Sequence, residues 1–202
     1  MKKVIYVLFV SGLLVTLGAC SSKNDSSTAK SNDVTNSIPT KKSTVSSSSV
    51  TKTSGNFVPT AAEAYFDGTM LKGNSYSIKI TSHKVIQPGQ EGNEHGEQPV
   101  LAIWYDTMVS PNYNDSRSIN PMNSWIGNFK AVQDNDPNKV NKLKVASLPD
   151  SQYIDSQSAE IKPGGTVPNA VAYELTDTIT PVELSAETML GDVLGKTTIP
   201  IY

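Results

Sequence analysis

The 202-residue chain predicts an all-β fold, a two-sheet β-sandwich over residues 57–202, and three observations carry that prediction. Short apolar–polar alternations recur along this stretch. Clusters of turn-forming residues separate them. A helical period appears in one place only, near 121–132. Twelve of the fourteen aromatic residues lie at or beyond Phe57, so the core-forming side chains are concentrated there as well.

Taken in order, Tyr76, Ile78 and Ile80 alternate with Ser77 and Lys79, the pattern of a half-buried strand. Val100-Leu101-Ala102-Ile103-Trp104-Tyr105 is a continuous apolar run after Pro99, which predicts a strand buried on both faces. Pro121 begins a segment in which Trp125, Phe129 and Val132 recur at helical spacing, so one or two helical turns are expected over 121–132, with Trp125 and Phe129 plugging the sandwich. Leu143 and Val145 alternate with Lys142 and Lys144, and Val171, Tyr173 and Leu175 with Ala172, Glu174 and Thr176. Val182 and Leu184 follow Pro181, and Thr198–Ile201 suits a closing edge strand, where Pro200 is tolerated. Turns are expected at Lys72-Gly73-Asn74, Pro88-Gly89, Gly92–Gly96, Asp134–Asn138 and Pro163-Gly164-Gly165. Seven or so short strands at this spacing make a sandwich.

The first nineteen residues read as a signal peptide. Met1-Lys2-Lys3 is positive, and Val4–Leu17 carries no charge but is shorter than the roughly 20 residues of a membrane-spanning helix. Leu17-Gly18-Ala19-Cys20 resembles the lipobox of bacterial lipoproteins. The resemblance implies cleavage between Ala19 and Cys20, a diacylglyceryl thioether on Cys20, and placement on the extracellular face of the cell membrane, where two acyl chains hold stably and one only marginally. Cys20 is the sole cysteine, so an internal disulfide and a four-thiolate zinc site are both excluded.

From Ser21 to Asn56, twelve Ser, six Thr and four Asn occur with no aromatic residue. Such a composition buries too little apolar surface to offset ordering entropy, so residues 20–56 are expected to be a disordered linker behind the lipidated N-terminus. A flexible chain of this length has a root-mean-square span of about 30–36 Å. Ser27–Lys30 and Ser49–Lys52 have an acyl-enzyme spacing, but within a serine-rich linker it arises by chance.

Charge divides the chain further. Residues 21–56 hold five lysines and two aspartates, whereas 57–202 hold ten basic and seventeen acidic residues, a formal −7. A nucleic-acid-binding domain needs the opposite sign, so nucleic acid is excluded as a partner.

Gly92-Asn93-Glu94, Pro99 through Asp106, Phe129 through Asn135, Ile161 through Thr166 and Ala172-Tyr173-Glu174-Leu175 together resemble, over about residues 64–201, the Gram-positive lipoprotein domains of domain-of-unknown-function family 5067. The resemblance implies an immunoglobulin-like sandwich on a lipid-anchored surface protein. It carries over no catalytic residue. The chain departs from the family after Asp106, where Thr107-Met108-Val109-Ser110-Pro111 stands in place of an Asn-containing turn.

Catalytic and metal-binding patterns are weak. Gly195-Lys196-Thr197 lacks both the spacing and the following helix of a phosphate loop and reads as a turn before the last strand. His95 lies among Glu91, Glu94 and Glu97, but consecutive loop residues rarely converge on a metal. His83 reads as a strand-surface residue. Asp134, Asp136 and Asn138 copy the start of a calcium loop, yet Lys139 replaces its glycine and Val145 its final glutamate, so an Asx-rich turn is the simpler reading. An enzyme would need a pocket gathering groups such as Glu94, His95 and Asp134. The expectation is therefore a non-enzymatic surface lipoprotein without cofactor, a binding module for an envelope protein, peptide or wall component. The alternatives are an accessory subunit of an envelope transport system and a prophage-type superinfection-exclusion lipoprotein.

Overall fold

The computed structural model describes residues 58–202. The expected signal peptide, the Ala19–Cys20 cleavage and lipidation site, the 20–56 linker and both Ser–Lys pairs lie outside the described residues. Two antiparallel sheets pack face to face. The first has the order β1 (Tyr65–Phe66), β2 (Met70–Lys72), β3 (Tyr76–Ile86), β4 (Val100–Val109) and β6 (Thr166–Glu174). The second is β5 (Phe129–Gln133), β7 (Val182–Glu187) and β8 (Val193–Ile199), and the helix α1 (Pro121–Asn128) precedes β5. The predicted two-sheet sandwich with a short helical insertion is what the chain forms.

Alternation places the core. Leu101, Ile103 and Tyr105 of β4, Ile78 of β3 and Val171 and Tyr173 of β6 meet Phe129, Ala131, Val182, Leu184, Ala186 and Ile199 of the second sheet in one cluster. Trp125 is fully buried, stacked on Phe129 at 4.3 Å between ring centroids and tilted against Tyr105 at 4.4 Å, so the expected plug is present.

The helix is shorter than its period suggested. Asn120 caps it by accepting the Asn123 N–H at 2.9 Å, and Pro121 occupies the first turn. It ends at Asn128, because from Phe129 onward the backbone is extended and pairs with β7, Phe129 opposite Ala186 and Gln133 opposite Val182. Strand pairing overrode the helical spacing of Val132. A second correction concerns residues 142–145, expected as a strand. They form only isolated bridges, one from Lys142 to Val132 and one from Val145 to Tyr173. Leu143 N–H donates to the Ala131 carbonyl of the second sheet, and Ala146 N–H to the Ala172 carbonyl of the first. The segment thus crosses between the sheets and seals the open edges of β5 and β6.

The opposite seam closes at β8. This strand begins at Val193, so Gly195-Lys196-Thr197 lies inside it and not in a turn before it, and it ends before Pro200. A β-bulge interrupts its pairing with β7, and a side chain at Gly195 would overlap the Phe66 carbonyl oxygen of β1. Among the described residues no strand covers the outer edge of β3 past Ile80. A bulge near Thr81 and the exposed His83 and Lys84 protect that edge from adventitious pairing. At Thr107–Val109, where the chain departs from the turn of the family it resembles, β4 simply continues, and the turn follows at Ser110–Tyr113.

Candidate functional site

The outward face of the first sheet carries a second apolar cluster. Val100 and Ala102 of β4, Ile86 of β3 and Ala172 of β6 point away from the main core, with Trp104 and Ala146 packed against them. Two segments rise over this floor. One is the loop 87–99 and the other is 146–153, which includes a single 3-10 turn at Ser151–Tyr153.

The loop is built by its own backbone. Gly89 N–H donates to the Asn93 carbonyl at 2.9 Å and Asn93 N–H to the Gln90 carbonyl at 2.8 Å. The buried Asn93 side chain reaches the carbonyls of Gln98 at 2.9 Å and Ile86 at 3.3 Å, which ties the loop to both strands it connects. On the other wall, Asp150 caps the 3-10 turn through the Gln152 N–H and accepts the indole N–H of Trp104 at 3.1 Å. Burial opposes its charge, but bonds from Gln152 and Trp104 outweigh that and hold the carboxyl below its ordinary range. Glu94 is held low by the N–H groups of Gly92 and of its own backbone.

The walls approach closely at Gly92 and Pro149. Gly92 has φ +87°, and a Cβ there would overlap the Pro149 carbonyl oxygen, so only glycine permits this approach. On either side of the contact lies a pocket. One, of about 390 Å³, is bounded by Asn93–Gln98, Ala146–Leu148, Val100 and Glu174. The other, of about 690 Å³, is floored by Lys84, Ile86 and Trp104, with Gln90–Gly92 and Glu94 on one wall and Leu148–Gln152 on the other. The two pockets adjoin, sharing Gly92, Glu94 and Leu148 in their linings, and together make a cleft on this face.

Several residues singled out from the sequence meet here. Glu94, His95 and Glu97 line the smaller pocket, and Glu91 with Glu94 the larger. Asp134 lines neither pocket. Among the described residues no three His, Asp or Glu side chains come together as a metal cage. Asp136 accepts the Asn138 N–H at 2.9 Å, the expected Asx turn, and pairs with Lys139 at 3.5 Å. His83 is exposed on β3, opposite Ile103, as expected. Trp104, Asp150, Gln90 and Gln152 were not foreseen. For Trp104 a signal existed: it is the one bulky residue in the outward set 100, 102 and 104, although the apolar run made it look like core.

The family model described as "Domain of unknown function (DUF5067)" matches residues 51–188. Two solved structures have the same fold. A candidate lipoprotein from Staphylococcus aureus subsp. aureus NCTC 8325 is 18% identical with a TM-score of 0.57, over 69% of this chain and 92% of that one. A protein from Enterococcus faecalis, solved by NMR, is 16% identical with a TM-score of 0.51, over 70% of this chain and 95% of that one. No curated protein matches the chain.

Proposed function

The chain belongs to the DUF5067 family, and from that premise we propose that it is a lipid-anchored surface lipoprotein whose sandwich is a binding module for a component of the cell envelope. The observation that carries the binding role is the two-pocket cleft on the outer face of the first sheet, walled by two segments whose polar groups are fixed before any ligand arrives. Anchoring rests on the Leu17-Gly18-Ala19-Cys20 segment, with Cys20 carrying diacylglycerol and Ala19 ending the signal peptide. Residues 21–56 then space the domain from the lipid surface on the extracellular side. Among the described residues no helix is long and apolar enough to cross a membrane. Hydrogen bonds hold the Glu94 and Asp150 carboxyls below their ordinary range, which suits Glu94 to accept hydrogen bonds from a bound ligand.

The test separates anchor from cleft. Cys20→Ala should release the protein into the medium, and retention in the membrane fraction would refute the anchor. The released full-length protein should capture an envelope component, and Gly92→Val should lose that capture. Capture of nothing from envelope extract would overturn the binding role.

A further inference from the structure

Resting on the reading that the outer-face cleft is the binding site, we propose that its larger pocket takes a saccharide, with a sugar ring lying on Trp104 and its hydroxyls held by Gln90, Glu94 and Gln152. The indole N–H of Trp104 is already donated to Asp150. What the half-buried ring offers the pocket is therefore flat carbon surface in a fixed orientation, suited to the apolar face of a pyranose.

The rim is polar in a particular way. Gln90 Oε1 accepts the Gln87 N–H at 3.0 Å, which leaves its amide NH₂ free. Glu94 Oε1 accepts the Gly92 N–H at 3.0 Å, which leaves Oε2. Gln152 Nε2 donates to Asp150 at 2.7 Å, which leaves Oε1. Each forked side chain is thus anchored by one atom and presents the other. Side chains immobilised in advance lose little rotamer entropy on binding.

The free atoms include one donor and two acceptors, and Lys84 adds a donor that makes no ion pair among the described residues. A hydroxyl both donates and accepts, so a polyol satisfies such a mixed rim. A polyanion would require donors throughout, and a basic peptide mainly acceptors. The volume of about 690 Å³ falls inside the range of roughly 300–1,000 Å³ typical of small-molecule sites.

The experiment titrates full-length Cys20→Ala protein with neutral oligosaccharides by calorimetry and tryptophan fluorescence, using oligomers of N-acetylglucosamine in one arm and of glucose in the other. Polylysine serves as the cationic control. Saturable binding of either oligosaccharide, with a change in Trp104 emission, is expected. Which arm binds tells whether the N-acetyl group is read. Gln90→Ala and Glu94→Ala remove the free rim atom from an exposed side chain, so each should weaken binding about tenfold, one hydrogen bond's worth, with little change in melting temperature. Trp104→Ala should abolish it, and the two rim variants keep the test valid if that substitution unfolds the domain. No saturation by any oligosaccharide at millimolar concentration, or binding indifferent to these variants, would overturn the proposal. Salt-sensitive polylysine binding alone would also overturn it, while leaving the cleft as a binding site. Failure of the envelope capture described above is a separate outcome and refutes the binding role itself.

Discussion

The indole N–H of Trp125 donates to the hydroxyl of Tyr173 at 2.8 Å, joining α1 to β6 inside the core. Burial pushes the Tyr173 hydroxyl up to about 12, so it remains protonated well above the ordinary tyrosine range. Tyr173→Phe removes the acceptor and leaves a buried indole N–H without a partner, which costs about 1–3 kcal/mol. The urea midpoint should fall with the m-value unchanged. An unchanged midpoint would mean that the indole finds another partner.

Thr107 presents the opposite case. It is fully buried on β4, and its hydroxyl has no hydrogen-bond partner among the described residues. Thr107→Val keeps the branched shape and removes the unpaired group, so it should stabilise the domain by about 1–2 kcal/mol. Calorimetric melting would reveal a lower temperature if that hydroxyl were satisfied after all.

Gly89 and Gly92 form a matched pair for isolating the contact between the cleft walls. Both have positive φ, +79° and +87°, but a Cβ at Gly89 meets nothing within 4 Å among the described residues, whereas one at Gly92 meets the Pro149 carbonyl. Gly89→Ala should cost only the backbone strain of about 1 kcal/mol. Gly92→Ala should cost clearly more and speed hydrogen exchange in both 87–98 and 146–153. Equal costs would show that the walls separate freely.

Asp177 predicts the acid behaviour. Its carboxylate accepts from the Asn135 amide and from the N–H groups of Thr180 at 2.7 Å and Ile179 at 2.9 Å, which hold it far below the ordinary aspartate range. With the folded value depressed, the unfolded chain binds a proton that the native state does not. Its contribution to stability is therefore present above about pH 4 and is lost as the pH falls further, through the folded value. Asp177→Asn should lower stability at pH 7 and flatten the acid limb of a melting-temperature profile. A variant profile parallel to the wild type would place the acid sensitivity elsewhere.

The same corner shows why sequence reading stops where it does. Gln133 is completely buried, accepts the Thr176 N–H at 2.8 Å and donates to the Thr180 carbonyl at 2.7 Å, with partners more than forty residues away. The sequence reads Phe129 and Val132 as helical, and nothing local says that Gln133 ends a strand and supplies the missing bonds of a distant turn. Likewise Val132 shares the helical spacing of Trp125 and Phe129. Only pairing with β7 decides that the helix stops at Asn128.

By itself the sequence determined the all-β class, strands through 76–80, 100–105, 171–174 and 182–184, the helix start at Pro121, and the burial of Trp125 and Phe129. These depend on period, turn chemistry and capping, which act over a few residues. The tertiary structure alone decided that residues 141–146 seal two sheets, that Gly195 lies inside β8 against Phe66, and that Trp104 floors a cleft instead of filling the core. Each of those depends on which backbone comes alongside from far along the chain. Period-two alternation tells that successive side chains face opposite ways, but not which of the two faces will be covered.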